Sequence, residues 1–151
     1  MNIRFAEEAD TQAVFGMYES YSGKELEKIG LRYDAEILKR TVAELIKNRS
    51  VLVGTNEPGA IIAAVAGAVG QGPFSEDVFF NSLLLYVKPE HRNKTVQFID
   101  SVIELLRENY PMITKIIIAN PACSPNGMNR FYKMNGFKEI ETHFVRAVKR
   151  G

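Results

Sequence analysis

Cysteine is nearly absent from this sequence, which contains only Cys123 among its 151 residues. One thiol cannot form a disulfide within the chain and cannot supply a cysteine-based zinc site. With two histidines, His91 and His143, the sequence predicts no metal centre. Cys123 has no histidine near it in sequence, which disfavours a nucleophilic role. A chain without disulfides is typical of a reducing compartment, so we expect a cytoplasmic location.

Long apolar runs and an excess of charge are also missing. The longest apolar stretch, residues 60–69, is about half the length of a membrane-spanning helix, and the first ten residues are too acidic for a secretory signal. The formal net charge is +1, so no overall field directs the chain toward nucleic acid or an anionic membrane. The sequence has no repeats or linkers, so residues 1–151 are expected to form one globular domain. We expect this domain to bind neither nucleic acid nor a membrane.

The spacing of apolar residues predicts both helices and strands. Asp10 and Asp34 are placed to cap two early helices, and residues 22–32 are polar enough to form a loop between them. The clearest amphipathic helix begins at Val96, and a short one ends at Gly136. Strands are predicted at residues 2–6, 50–55, 60–70, 78–87, 115–120 and 138–148.

The order of these elements predicts an α/β (α+β) fold with about four helices. Early strands follow one another closely and should pair antiparallel, whereas a helix separates strand 78–87 from strand 115–120. A crossover of that length joins parallel strands. We therefore expect a mixed, mostly antiparallel central sheet that contains one parallel pair.

The connection from strand 78–87 to the next helix contains no glycine, although loops that hold phosphates are usually rich in it. Lys88, His91, Arg92 and Lys94 nevertheless precede a helix N-terminus, where unpaired amides and the helix dipole favour an anion. On these residues alone, an anion site and a solvated basic turn are equally good interpretations.

Two stretches carry a family resemblance. The segment "VKPEHRNKTVQFIDSVIELL" resembles the strand, loop and helix at the centre of the GNAT superfamily of N-acetyltransferases, and "RFYKMNGF" resembles the last helix of that family. The element order matches the family over nearly the whole chain. The resemblance implies a GNAT-like fold whose parallel strands splay apart, with acetyl-CoA as the donor substrate and no metal.

The resemblance also implies a donor site. The pantetheine arm would pair with the backbone of strand 78–87, the diphosphate would lie on the loop amides, and two asparagines would face the donor. These residues are Leu85, Tyr86 and Val87, then Arg92, Asn93, Lys94, Thr95 and Val96, and finally Asn120 and Asn126.

The loop departs from the family pattern at two positions. Thr95 and Gln97 stand where the family has glycine or alanine, and glycine lets the backbone approach phosphates closely. The Thr95 hydroxyl and the Lys94 charge are candidates to compensate. The departure keeps open an alternative, a catalytically inactive GNAT-like module that binds CoA or a protein partner.

Tyr132 is the candidate catalytic residue, because it lies four residues before Gly136, where the family commonly has a tyrosine that protonates the leaving sulfur. A phenol is protonated at neutral pH and can donate; a purely structural aromatic is the alternative. Strand 78–87 carries no carboxylate inside it, and Asn81 and Ser82 are poor bases that can only orient a water. Deprotonation of the amine is therefore left to solvent.

The acceptor is expected to be an amine of a small molecule or of a protein. The resemblance implies that Tyr21, Tyr33, residues 79–81 and the last strand form its walls. Few residues follow Gly136, so a partner subunit is a candidate to complete the site, which leaves a homodimer open. A nucleotide-binding domain of another type is disfavoured by the lack of a glycine-rich fingerprint.

Overall fold

The computed structural model describes residues 1–28, 30–72, 75–120 and 127–141, together with residues 144, 146 and 148. Its order is β1 (Asn2–Phe5), a 3-10 helix (Glu8–Asp10), α1 (Thr11–Lys28), α2 (Ala35–Lys47), β2 (Val51–Thr55), β3 (Ile61–Gln71), β4 (Val78–Val87), a 3-10 helix (Pro89–Lys94), α3 (Thr95–Asn109), β5 (Ile113–Ile117) and α4 (Met128–Met134).

The strands form one sheet in the order β1-β2-β3-β4-β5. The first four strands pair antiparallel with their neighbours, and β4 pairs parallel with β5. The predicted mixed sheet with one parallel pair, crossed by the helix after β4, is confirmed. The four described α-helices also agree with the prediction.

Two apolar clusters cover the two faces of the sheet. On one face, side chains of α1 and α2, including Val14, Tyr18 and Val42, pack against alternate residues of β2 and β3. On the other face, Phe98, Val102 and Leu106 of α3 pack against Leu52, Val65 and Phe80. Side chains alternate between the two faces along a strand, and along a helix they return to the same face every three to four residues. These two periods divide the apolar residues between the two clusters.

Local signals place the helix ends. Asp34 caps α2 as predicted, since its carboxylate accepts hydrogen bonds from the amides of Glu36 (2.9 Å) and Ile37 (3.1 Å). From the spacing of its apolar residues, the sequence predicts that this helix buries one face, made of Ile37, Leu38, Val42, Leu45 and Ile46. Val42 and Ile46 are buried, but Ile37 is 53% exposed. Ile37 lies five residues before Val42, which at about 100° per residue turns it well away from the buried face.

The prediction of a loop over residues 22–32 is wrong in part, because α1 continues to Lys28. Residues 24–28 are strong helix formers, and one glycine before them costs too little to end the helix. Beyond the end of α1 at Lys28, Gly30 has a φ of 80°, which suits the left-handed position of a C-cap. The amide of Leu31 then bonds back to the carbonyl of Leu26 at 3.0 Å.

The C-terminal segment also differs from the prediction of a strand at 138–148. Among the described residues after α4, none is in a strand, and Ile140, Phe144 and Val148 are exposed. The alternation of apolar residues predicts a strand here, but a strand also needs a neighbouring strand with which to form hydrogen bonds.

Asp10 anchors the start of α1 differently from the predicted cap. Its carboxylate receives two hydrogen bonds from Arg4, at 2.6 and 3.0 Å, and one from the amide of Glu7 at 2.8 Å. The hydrogen bond from Arg4 is the main reason that the pKa of Asp10 is lowered. This pair joins β1 to the first helical turn.

We predict that Asp10→Asn lowers the free energy of unfolding by about 1–3 kcal/mol at pH 7, because a charge-assisted bidentate pair is lost. Since the folded-state pKa is lowered, the wild-type contribution is present above the unfolded-state pKa of about 3.9 and is lost as pH falls through the folded value. Urea unfolding at pH 7 and pH 3 measures the difference. Asp100→Asn, at an exposed position of α3, is the control; an equal penalty for Asp10→Asn at both pH values contradicts the assignment.

Candidate functional site

The two parallel strands separate partway along their length. The ladder between β4 and β5 runs from the pair Val78–Ile113 to the pair Asn81–Ile117. On its other side, β4 stays paired with β3 as far as Val87, opposite Ala63. Among the described residues, the half of β4 from Leu83 to Val87 therefore has no strand partner on the β5 side. The result is a wedge bordered by a free backbone edge.

A β-bulge starts the separation. Ala66 of β3 pairs with Leu84 and Gly67 pairs with Ser82, which leaves Leu83 unmatched and 57% exposed. A bulge bends its strand and increases the local twist. Gly67 is required at this point, because a Cβ there would lie 2.6 Å from both the Phe80 ring and the Asn81 carbonyl oxygen.

Ser82 closes the apex of the wedge. Its side chain is buried at 3% exposure, and its hydroxyl oxygen accepts a hydrogen bond of 3.0 Å from the amide of Ala119. This side chain takes over where backbone pairing stops. The sequence suggests only a water-orienting role for Ser82, and no local signal identifies this contact, which depends on the register of two strands 37 residues apart.

The loop after β4 is more ordered than the sequence suggests. It forms a 3-10 helix, Pro89–Lys94, that continues directly into α3. The amide of His91 bonds to the carbonyl of Lys88 at 2.8 Å, and both the amide and the hydroxyl of Thr95 donate to the carbonyl of Arg92, the hydroxyl at 2.7 Å. Thr95 is also buried at 7% exposure. Two of the loop amides and the threonine hydroxyl are thus engaged within the turn.

The basic side chains of this turn stay accessible. Arg92 and Asn93 are exposed, and His91 and Lys94 are half-buried. Among the described residues, no carboxylate forms an ion pair with His91, Arg92 or Lys94. The positive charges of Arg92 and Lys94 at the start of α3 are therefore available to an anion.

Tyr132 lies on α4, half-buried between two aromatic rings. Its ring meets those of Phe131 and Phe137 edge-on, each with a centroid distance of 5.5 Å. Burial raises the pKa of Tyr132 to about 12. The hydroxyl therefore keeps its proton across the physiological range, which a proton donor requires.

Of the two asparagines expected near the donor, Asn120 is among the described residues. Asn120 follows β5, and its side-chain amide donates a 2.5 Å hydrogen bond to the side chain of Asn129 in the first turn of α4. This hydrogen bond ties the end of β5 to the helix that carries Tyr132. Asn126 lies outside the described residues, as do Cys123 and His143.

The side chains on the free half of β4 are held by α1. The Ser20 hydroxyl donates to the Tyr86 hydroxyl at 3.1 Å, and the Tyr21 and Tyr86 rings meet edge-on at 6.2 Å. The buried Tyr18 hydroxyl approaches the Leu84 carbonyl at 3.4 Å, and burial raises the pKa of Tyr18. These interactions fix β4 from one side of the sheet. The helical spacing of apolar residues places both Tyr18 and Tyr21 on one helix face, and the resemblance adds only the expectation that Tyr21 lies on the acceptor wall.

Tyr33, expected on the acceptor wall, forms a hydrogen bond with α1: its hydroxyl donates to Glu19 at 2.7 Å.

In the described part of the chain, no three metal-ligating side chains cluster. No helix within the same residues has the length and apolar character needed to span a membrane.

Comparison with known proteins identifies the fold. No protein-family model matches the chain, and a search of curated proteins finds no significant match. A possible acetyltransferase from Clostridium difficile has a TM-score of 0.71 at 16% identity, over 99% of this chain and 98% of that one. A ribosomal-protein-alanine N-acetyltransferase from Brucella melitensis gives 0.71 at 14% identity, over 98% and 100%.

A third similar structure, an aminoglycoside 6′-N-acetyltransferase from Acinetobacter haemolyticus, gives a TM-score of 0.68 at 16% identity, over the full length of both chains. The splayed β4–β5 pair and the coverage of these matches identify the fold. The chain has the GNAT N-acetyltransferase fold, as the resemblance of its two motifs predicted.

Ser82→Ala tests the closure of the wedge. The variant leaves the Ala119 amide without its acceptor, so we expect a loss of about 1–3 kcal/mol in unfolding free energy and faster hydrogen exchange at Ala119. Ser101→Ala, at a half-buried position of α3, is the control and should change stability by less than about 0.5 kcal/mol. Unchanged exchange at Ala119 would show that this hydrogen bond does not hold the apex.

Proposed function

We propose that this protein transfers an acetyl group from acetyl-CoA to a primary amine of a small molecule or protein. The observation that carries the proposal is the wedge between β4 and β5, with its free backbone edge and a basic helix start at the end of β4. The likeness to solved structures of acetyltransferases over their whole length supports it.

The free edge of β4 fits the arm of the donor. Pantetheine is an extended chain with two amide groups, and backbone N–H and C=O groups without a strand partner are the groups that pair with it. We assign this interaction to Leu85, Tyr86 and Val87. When bound, acetyl-CoA supplies an activated thioester.

The diphosphate is assigned to residues 92–96, that is Arg92, Asn93, Lys94, Thr95 and Val96. Because the Thr95 amide and hydroxyl already bond to the Arg92 carbonyl, charge from Arg92 and Lys94 carries a larger share of diphosphate binding than amides do. Asn120, which also holds Asn129, and Asn126 complete the proposed donor site.

The chemical step needs one proton donor. As the bond from the amine nitrogen to the acetyl carbon forms and the carbon–sulfur bond breaks, the sulfur gains a proton and the amine loses one. We assign the proton that the sulfur gains to the Tyr132 hydroxyl, whose raised pKa keeps it protonated before the reaction, and the resulting phenolate recovers a proton from water. The amine proton goes to water, because β4 has no carboxylate between Val78 and Val87.

A second candidate function has its own support. The glycine-free loop, the Thr95 hydrogen bonds within the 3-10 turn and the lack of a carboxylate on β4 favour a catalytically inactive module that binds CoA or a protein partner. Binding and turnover measurements separate this candidate from the enzyme.

Calorimetric titration with CoA, ATP and NAD side by side tests the donor. We expect CoA to bind and the other two to bind more weakly, because only CoA has an arm that fills the wedge. Arg92→Gln should weaken CoA binding by about tenfold, the loss of one charge-assisted hydrogen bond of roughly 1.4 kcal/mol. Lys39→Gln, at an exposed position of α2, is the matched control. No binding of CoA at millimolar concentration would overturn the proposal.

Tyr132→Phe tests the proton donor. We expect the turnover rate to fall by about 10²–10⁴, the usual contribution of a positioned general acid, while the affinity for CoA stays unchanged. Tyr110→Phe is the control, because Tyr110 is half-buried and packs against Phe5 through its ring. Turnover is followed as free thiol released with a panel of amines. Full activity in Tyr132→Phe would remove this residue from the mechanism, and thioester consumption by the wild type would exclude the inactive module.

A further inference from the structure

A depression of about 460 Å³ lies directly beside the apex of the wedge. Its lining includes Asn81 and Ile117, which form the last pair of the β4–β5 ladder before the strands separate. It extends from there along β3 and β4 to Phe79 and the glycines at positions 70 and 72. Its volume is within the range of sites for small ligands.

No charged side chain is found among the described residues that line the depression. Among the described residues that form it, the polar side chains are two carboxamides, Gln71 and Asn81, and the hydroxyl of Ser75. The rest of the lining is apolar side chains and glycine backbone. An ammonium group that entered here would lose water without gaining a carboxylate, which is unfavourable.

One charged pair borders the depression. Asp77, in the loop that borders the depression, accepts hydrogen bonds from Thr114 (2.7 Å) and Ser75 (3.0 Å) and lies 3.7 Å from the Lys115 ammonium. This network attaches the loop to β5, so Asp77 is already compensated and does not offer a free carboxylate to a ligand.

Two glycines give the depression its shape. A Cβ at Gly72 would lie 2.8 Å from the Phe79 ring, so glycine lets the loop pack against this ring. Gly70 is different, because a Cβ there would have no other atom within 4 Å. Gly70 is the cross-strand partner of Phe79, and partners in a ladder point to the same face of the sheet. The missing side chain at Gly70 therefore keeps the space over Phe79 open.

We infer that this depression binds the acceptor, and that it selects a monoamine carrying an uncharged apolar or aromatic group over a polycationic amine. The inference rests on the proposed acetyl transfer. The apolar group lies over Phe79 between the β3 and β4 backbones, and the amine reaches past Asn81 to the apex. Gly70 is the residue that determines specificity.

The test compares 2-phenylethylamine with spermidine as acceptors at saturating acetyl-CoA. We expect kcat/KM to be at least about tenfold higher for 2-phenylethylamine, a ratio typical of discrimination by an apolar pocket. Gly70→Leu should raise KM for 2-phenylethylamine at least about tenfold and leave CoA affinity and melting temperature unchanged. Gly16→Leu is the matched control, because Gly16 is exposed on α1 and a Cβ there also has no atom within 4 Å.

The outcomes separate the two proposals. If CoA binds and either spermidine is preferred or Gly70→Leu leaves KM unchanged, the acceptor inference is overturned and the proposed function stands. If CoA binds but neither amine is acetylated, saturation-transfer NMR of 2-phenylethylamine with the CoA complex decides. A saturation-transfer signal that disappears in Gly70→Leu supports the inference, and the absence of a signal with the wild type overturns it. If CoA does not bind, both proposals fall.

Discussion

The structure depends on how β4 is hydrogen-bonded along its two edges. Over Val78–Asn81 it has a strand on each side, and from Leu83 onward, among the described residues, only β3 remains. The bulge at Leu83 bends the strand, and the Ser82–Ala119 hydrogen bond stops the separation from running further into the sheet. Everything proposed for this protein lies around that point: the donor on the free edge, the acceptor depression at the last pair, and α4 tied to the end of β5 through Asn120.

The proposed donor site is made largely from backbone, which is compatible with a fold shared with solved structures at 14–16% identity. Backbone groups along an open strand edge place few demands on side chains, apart from small residues where chains approach closely, as at Gly67. Side chains matter more where a substrate is distinguished from its competitors. The depression proposed to bind the acceptor is lined in part by side chains, those of Gln71 and Phe79 among them. We therefore expect acceptors to differ among proteins of this fold while the wedge is retained.

Structural features that depend on residues close together in the sequence can be predicted from it. Features that depend on residues far apart in the sequence cannot. The Asp34 cap and the parallel crossover follow from neighbouring residues and elements, and these predictions are confirmed. Within α3, Phe98, Ile99, Val102 and Leu106 are buried, whereas the apolar Val96 and Ile103 are 38% and 39% exposed. The end of α1 differs from the prediction because the helix formers after position 23 outweigh the one glycine there. The bulge, the Ser82 hydrogen bond and the Gly70 space depend on register between strands, which a single sequence does not encode in any local pattern. The donor-site residues stay predictions, because their proposed role is played mainly by backbone groups, which a sequence pattern does not identify.

The glycine-free turn also has a physical explanation. In place of flexible residues, the chain uses Pro89 to begin a 3-10 helix and Thr95 to end it, and the turn satisfies part of its own hydrogen bonding. Such a turn offers fewer free amides than a glycine loop, but it holds Arg92 and Lys94 at a helix start, and neither forms an ion pair with a carboxylate among the described residues. Attraction between charges is long-ranged and weakened by salt, whereas amide hydrogen bonds are short and directional. Recognition of a diphosphate by this turn should therefore depend more on ionic strength than recognition by a glycine-rich loop, which makes salt dependence a direct measure of how the missing glycines are replaced.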